Sequence, residues 1–595
     1  MYRTICSYIR IRLLALLALL FAICLHNQTD RSAVRLAPRR PPNPVDPLPP
    51  SHSVLHEFRN AAICSDNSVC SDAARSTLER GGSVVDGALT ALFCNGLVGM
   101  QSMGLGGGML MNVYMHEERK SFSILGREMA PASLLAENFT IFRSEQKLKQ
   151  SSWAIAVPTE VMGYAVAHQR FGKLPWSDLI KPTVDLCRRG YPLYKHQLDA
   201  LILNQDMIRN DELLQKMFIN PKTGNFWHMG RIIRPPAQLC TTYQRLAKEG
   251  WSSFYNGSLH NDIIADLRDM GSPIIASDLS AAEAELRESI VMPLDEFDLH
   301  LMPPPGSGLV LGFIMNILRA FRKDFARVRK LGALEIHRIV EALKFGFVKR
   351  WQLDPAADKN LMDEMLSPDL AATISKQIDD LQTHNHSNYY GATAGTQARN
   401  EHGTSHISVF LNGDAVSVTS SINFYFGSGR MGQRTGVLFN NAMSDFSIKH
   451  LRNYFDLPYV SGKNTIIPLA RPMSSMSPVL VTERSTGRIR LSVGAAGGTR
   501  IISTLVPLLI RILWQDTDIK VAIDANRFHH QMFPNVLFYE YGLLQTYVSD
   551  LQRKGHQCER YLNRGSVMCG ITSNTINGTI SVNSDYRKIG GVAGF

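Results

Sequence analysis

The sequence predicts an α/β protein, organised either as two domains or as one large layered unit. Three observations carry that expectation. Gly87–Gly99 is an apolar run without a single charge and reads as a buried helix. Past about residue 400 strands dominate, and Ser405–Leu411 and Asp414–Ser421 alternate on either side of Asn412-Gly413, the strongest short hairpin signal. A third strand-like run, Arg488–Val493, leads through Gly494, Ala495, Ala496, Gly497, Gly498 and Thr499 into an apolar helix, Ile501–Trp514.

The chain has 595 residues, 45% hydrophobic and 19% charged, the balance of a packed globular protein rather than a disordered or fibrous one. That length excludes a peptide hormone or knottin. Lys and Arg number 63 against 52 Asp and Glu, a formal charge of +11. No arginine-rich arm, zinc-finger spacing or basic stripe interleaved with aromatics accompanies it, so no nucleic-acid partner is expected. An acidic small substrate or an anionic membrane surface fits the charge equally well.

Residues 1–26 read as a targeting segment. Arg3, Arg10 and Arg12 precede thirteen apolar residues, Leu13–Leu25. The run is short for a spanning helix and suits a signal-peptide core. Ile9 and Ile11 lengthen it, and the arginines can snorkel, which favours a single-span anchor with its basic tip in the cytoplasm. In either case the rest of the chain is exported. Residues 27–54 form a proline-rich stalk: seven of the fourteen residues Ala37–Pro50 are proline, which forbids helix and leaves an extended spacer.

Export agrees with glycosylation triplets at Asn27, Asn138, Asn256, Asn385 and Asn577. Of the nine cysteines, Cys70 and Cys94 bracket a helix-like stretch, and Cys558 and Cys569 flank a short turn-rich segment; both are candidate disulfides. Cys64, Cys187 and Cys240 are unassigned. Without a CxxC or HExxH motif, neither a metal nor a redox cofactor is implied.

From His56 to Leu110 the reading is helical and buried, with Ser83 an N-cap. Ala333–Leu353 has apolar residues at helical spacing and charge on the other face, a surface helix. The run Gly104–Gly108 lacks the Lys-Ser/Thr of a phosphate loop, so close chain packing explains it better. Gly306, Ser307 and Gly308 form a turn, since no GxSxG is present.

The hairpin has a consequence for chemistry. If Asn412 and Gly413 make the turn, paired positions sum to 825 and Thr404 stands opposite Ser421, two hydroxyls on one face with Asn423 just beyond. His406 shares that face, although its neighbours look structural. The glycines ahead of Ile501 open a helix, and unpaired backbone N–H groups there are a ready oxyanion site.

These segments resemble the γ-glutamyltransferases, or glutathione hydrolases, of the N-terminal nucleophile hydrolase superfamily. The similarity runs from about His56 to Phe595. It includes QSMGLGGG at 101–108, GREMAP at 126–131, GYAVAHQRFGKLPW at 163–176, FYNGS at 254–258, HGTSHISV at 402–409, SINFYFGS at 421–428, LFNNAMSDFS at 438–447, RPMSSMSP at 471–478 and GAAGGT at 494–499. The resemblance implies a four-layer α/β/β/α fold and a chain that cleaves itself between Gly403 and Thr404. The products would be a large subunit, 55–403, and a small subunit, 404–595, associated as a heterodimer.

By the same resemblance Thr404 is the nucleophile, with its freed amine as base. Ser421, where the family usually has threonine, supports the hydroxyl, and Gly497 and Gly498 hold the oxyanion. Arg127, Ser474 and Ser475 meet the donor α-carboxylate, while Asn423 and Asp445 meet its α-ammonium. The expected partners are glutathione or other γ-glutamyl compounds, with amino acids or dipeptides as acceptors and no cofactor. The expected location is the plasma membrane with the catalytic part outside, or secretion if the leader is removed. One departure matters: the family glutamate three residues before Asp445 is Ala442 here, which implies weaker donor binding that Ala442→Glu would restore. That departure also supports a rival reading, a weakly active or inactive homologue acting as an extracellular interaction protein.

Overall fold

Two seven-stranded sheets packed face to face organise the structure, a computed structural model describing residues 41–356, 359–392, 403–449, 451, 462–561 and 565–595. Everything below lies in one unit, Val45–Phe595. The first sheet runs in the order His56–Phe58, Ile580–Ser584, Val567–Ser573, Ile489–Ala496, Val479–Glu483, Phe297–Leu301 and Ile290–Leu294. The second runs Gly591–Gly594, Ala61–Ser65, Ser405–Leu411, Asp414–Ser421, Gly108–Met115, Lys120–Gly126 and Glu285–Glu288. Helices Ser68–Glu79, Val84–Val98 and Glu160–Phe171 cover the second sheet, and Gly308–Leu318, Arg500–Leu513 and Ile519–Asp524 cover the first. This is the four-layer α/β/β/α arrangement that the resemblance implies.

Residue chemistry explains the layering. All fifteen residues of Val84–Val98 are buried, and its start is fixed by a capping box in which Ser83 and Asp86 exchange backbone bonds. Each large side chain there, such as Leu89 or Phe93, contributes roughly 1.5–3 kcal/mol by burial. In the hairpin, Ile407, Val409, Val416 and Val418 point to the helical side. The alternate positions His406, Ser408, Ser417 and Thr419 meet the other sheet through short polar groups: the Ser417 hydroxyl donates to the Val493 carbonyl at 2.9 Å, and that of Ser492 to Val416 at 2.9 Å. The pairing runs from Ser405↔Ser420 to Leu411↔Asp414, the register the turn dictates.

Three expectations need correction. His56–Leu110 is not helical throughout: it contains strands His56–Phe58 and Ala61–Ser65 and the start of Gly108–Met115. Ala61–Ser65 is a five-residue apolar run, too short for periodicity to separate strand from helix, and it pairs with Ser405–Leu411 on one side and Gly591–Gly594 on the other. The helix Ala333–Trp351 is not a surface helix, because its charged face is covered: Arg338 bonds Asp324 and Asp380, and Lys344 pairs with Glu341. Cys569 bonds Cys64 in the facing sheet rather than Cys558, which lies in the separate small strand Cys558–Arg560 and is free. The expected Cys70–Cys94 bridge is present, and Cys187 pairs with Cys240.

The targeting segment 1–26, Asn27 and the stalk as far as residue 40 lie outside the described residues. No described helix is long and apolar enough to cross a membrane. Asn138, Asn256, Asn385 and Asn577 are all exposed. The end of the proline-rich segment is fastened down, since the Ser51 and Ser53 hydroxyls both donate to the Asp524 carboxylate.

Candidate functional site

The hairpin carries Thr404 and Ser421 to one end of the sandwich, on the face between the sheets. Their hydroxyl oxygens are 3.4 Å apart. Both converge on the carbonyl of Gly403: the Thr404 hydroxyl donates to it at 2.8 Å and that of Ser421 at 2.7 Å. Gly403 is required by close approach rather than by unusual backbone angles. A Cβ there would stand 2.7 Å from the main chain of both Phe424 and Tyr425.

Two further residues hold Thr404 in place. The Lys588 ammonium donates to the Thr404 carbonyl at 3.0 Å and also bonds Asp66, which accepts the hydroxyl of Ser405. Neither Lys588 nor Asp66 stands out in the sequence as more than one charge among many. His406 is fully used elsewhere, with Thr419 at 2.9 Å and Ser408 at 3.0 Å, and burial pulls its pKa down to about 3. It is a neutral packing residue.

From Ser421 a polar chain runs to a buried ion cluster. The Ser421 oxygen accepts from the Asn423 amide at 2.9 Å, and the Asn423 side-chain amide donates to Asp445 at 2.9 Å. Asn423 holds a φ of 76°, a left-handed conformation that asparagine tolerates better than most residues. Asp445 is paired with Arg127, whose guanidinium also donates to Glu128 at 2.7 Å and to the Pro472 carbonyl at 3.2 Å. Burial opposes the charge on Arg127, but Glu128 and Asp445 outweigh it and keep its pKa raised.

Ser474 and Ser475 reach this cluster on a segment clamped by the Pro303–Gly308 turn. The Ser474 amide donates to the Pro305 carbonyl at 2.7 Å, and the Ser307 hydroxyl donates to the Ser474 carbonyl at 2.6 Å. The hydroxyl of Ser475 accepts from Arg350 at 3.0 Å. Ala442, in the turn Ala442–Asp445, is buried among apolar neighbours that include Ala130, Leu134, Met443 and Phe446.

Gly497 and Gly498 follow the strand Ile489–Ala496 and precede the helix Arg500–Leu513. Their φ angles, 138° and 57°, lie where L side chains are rarely found. The Ser408 hydroxyl bonds the Ser492 carbonyl, and a Cβ on Gly494 would meet the His406 ring. These contacts stack the strand Ile489–Ala496 against Ser405–Leu411, the strand that follows Thr404. The run Gly104–Gly108 does pack closely: a Cβ on Gly107 would be 2.4 Å from the Ser421 carbonyl, and one on Gly108 2.6 Å from Glu128.

Glu160 lies behind the hairpin, bonded by the hydroxyls of Tyr164 and Ser420, and burial pushes its pKa up to about 8. Among the described residues, His337, Glu341 and His556 are grouped closely enough to suggest a metal. Their atoms already have partners: His337 bonds His556 and the Asp379 carbonyl, while Glu341 accepts from Thr383 and Tyr390 and pairs with Lys344. With a lysine already supplying positive charge, this is a closed polar network.

A family model described as Gamma-glutamyltranspeptidase matches residues 70–595. The chain belongs to the γ-glutamyltranspeptidase family. As a γ-glutamyltranspeptidase family member it is an enzyme of the γ-glutamyl transfer and hydrolysis class. It is similar to Scoloptoxin SSD14 of Scolopendra dehaani, 35% identical over 552 residues, covering 91% of this chain and 94% of the relative. It is also similar to Glutathione hydrolase 5 proenzyme of Mus musculus, 34% identical over 552 residues and covering 90% and 93%. The fold matches a solved cephalosporin acylase from Bacillus halodurans with a TM-score of 0.78 at 20% identity, covering 94% of this chain and 99% of that one.

Proposed function

We propose that this chain is an exported, membrane-anchored proenzyme that cleaves itself before Thr404. It then removes the γ-glutamyl group of glutathione and its conjugates and passes it to water, an amino acid or a dipeptide. The observation that carries the reading is the convergence of the Thr404 and Ser421 hydroxyls on the Gly403 carbonyl.

In self-cleavage the Thr404 oxygen attacks the Gly403 carbonyl carbon while the Ser421 O–H supports the charge developing on the carbonyl oxygen. The C–N bond breaks, the Thr404 nitrogen takes the proton, and water hydrolyses the resulting ester. This frees the amine that later acts as the base.

In turnover the Thr404 oxygen attacks the donor's γ-carbonyl and its proton passes through the α-amine to the leaving amine. The amides of Gly497 and Gly498 hold the oxyanion. Water or an acceptor amine then releases the glutamyl group. Asp445 and Asn423 receive the donor's α-ammonium, and Arg127, Ser474 and Ser475 its carboxylate.

A denaturing gel of purified protein run with reductant, together with release of a chromogenic γ-glutamyl leaving group, tests both halves of the proposal. Two bands with turnover support it; a single uncut band without turnover refutes it. Ala442, and to a lesser degree Ser421, are the departures from the family pattern behind the rival reading of a weakly active or inactive homologue.

A further inference from the structure

Arg350 is a second guanidinium at the proposed donor site, and it is almost unpartnered. It lies in the last turn of the helix Ala333–Trp351, is 6% exposed, and among the described residues the bond to Ser475 is its single hydrogen bond. Its buried Nε has no partner. Arg127, by contrast, already directs its three nitrogens to Glu128, Asp445 and the Pro472 carbonyl. Burial pulls the Arg350 pKa down to about 10, with Asp445 raising it and Arg127 lowering it, so the three groups feel one another. The hydrogen bond of this buried cation goes to a neutral hydroxyl, and the carboxylate that acts on it, Asp445, is paired with Arg127, which leaves its charge incompletely balanced.

We propose that Arg350 is a specificity-determining residue that, through and beside Ser475, receives the donor's α-carboxylate. By donating to the Ser475 oxygen, Arg350 leaves that hydroxyl's proton free to point at a carboxylate. Its remaining N–H groups supply the charge that Arg127 has spent on two carboxylates. The inference rests on the donor-site reading above and deepens it: donors must carry a free α-carboxylate, and Arg350 rather than Arg127 alone enforces that.

The test compares Arg350→Gln, Arg350→Lys, Ser475→Ala and the Arg350→Gln/Ser475→Ala double variant on two chromogenic donors. One is γ-glutamyl-p-nitroanilide and the other its α-carboxamide counterpart. Arg350→Gln should raise KM for the carboxylate donor about 10- to 100-fold with little change in kcat, and leave the carboxamide donor unaffected. Arg350→Lys should recover part of the loss, and the double variant should lose less than the product of the two single losses. Two bands on a reducing gel and an unchanged Tm show that the variants fold. Equal losses on both donors, or full independence of the two residues, overturns the proposal.

Should the wild type turn over neither donor, the enzyme reading fails by itself. Thermal stabilisation then decides Arg350: stabilisation by L-glutamate over L-isoglutamine that vanishes in Arg350→Gln supports it, and absence of any such preference in the wild type overturns it.

Discussion

The Ser421 hydroxyl donates at 2.7 Å to the carbonyl of Gly403, the group on which charge would build during self-cleavage. Ser421→Ala removes that donor and leaves the Asn423 amide without its acceptor. The rate at which the small fragment appears on a reducing gel should fall about 100-fold or more. Ser421→Thr, which keeps the hydroxyl, should process normally. An alanine variant that matures at the wild-type rate would remove Ser421 from the mechanism.

The bridge between Cys64 and Cys569 crosses from one side of the proposed cut to the other. Processed protein should therefore run at full mass on a denaturing gel without reductant and as two fragments with it. Cys569→Ala should give two fragments under both conditions. Fragments that separate in wild-type protein without reductant would contradict the assignment.

Glu160 is a carboxyl whose pKa burial raises to about 8 in the folded protein from an ordinary value of 4.5. The folded state holds the proton more tightly than the unfolded chain does, so its stabilising contribution is complete below about pH 4.5 and is lost as pH rises through about 8. Glu160→Gln mimics the protonated form and keeps an oxygen for Tyr164 and Ser420. Denaturant titrations should show the wild type losing stability relative to this variant by up to about 1.4 kcal/mol per pH unit across that interval. Parallel pH profiles would show that Glu160 is ionised in the fold.

Ala442→Glu, which the family pattern suggests as a repair, meets an obstacle in the structure. Ala442 is 0% exposed and packed with apolar side chains. A charge forced in there without a partner should lower stability by about 3–5 kcal/mol and leave donor KM no better. Calorimetry and kinetics on the same preparation decide it, and an improved KM at unchanged Tm would show that the new carboxylate reaches the donor.

The site was legible in the sequence where chemistry is local. The Asn412-Gly413 turn sets the hairpin register and so places Thr404 against Ser421, and the glycines before Arg500 mark a strand-to-helix junction. Groups that arrive from distant segments outside the family motifs were not legible. Lys588 reaches Thr404 across 184 positions, and Arg350 reaches Ser475 across 125. The charged face of Ala333–Trp351 has the pattern of a solvated helix, and only the segments laid over it, with Asp324, Asp380 and Thr383, reveal that it is enclosed. Cys558 and Cys569 are near in sequence but belong to different sheets, which no spacing rule could show.

Each sheet takes strands from both sides of the Gly403–Thr404 bond, with Phe297–Leu301 beside Val479–Glu483 in one and Gly108–Met115 beside Asp414–Ser421 in the other. After a cut, neither fragment owns a core that could survive alone. A cell should thus be unable to discard one piece while retaining its mate, and pulse-labelled fragments should decay with a common half-life.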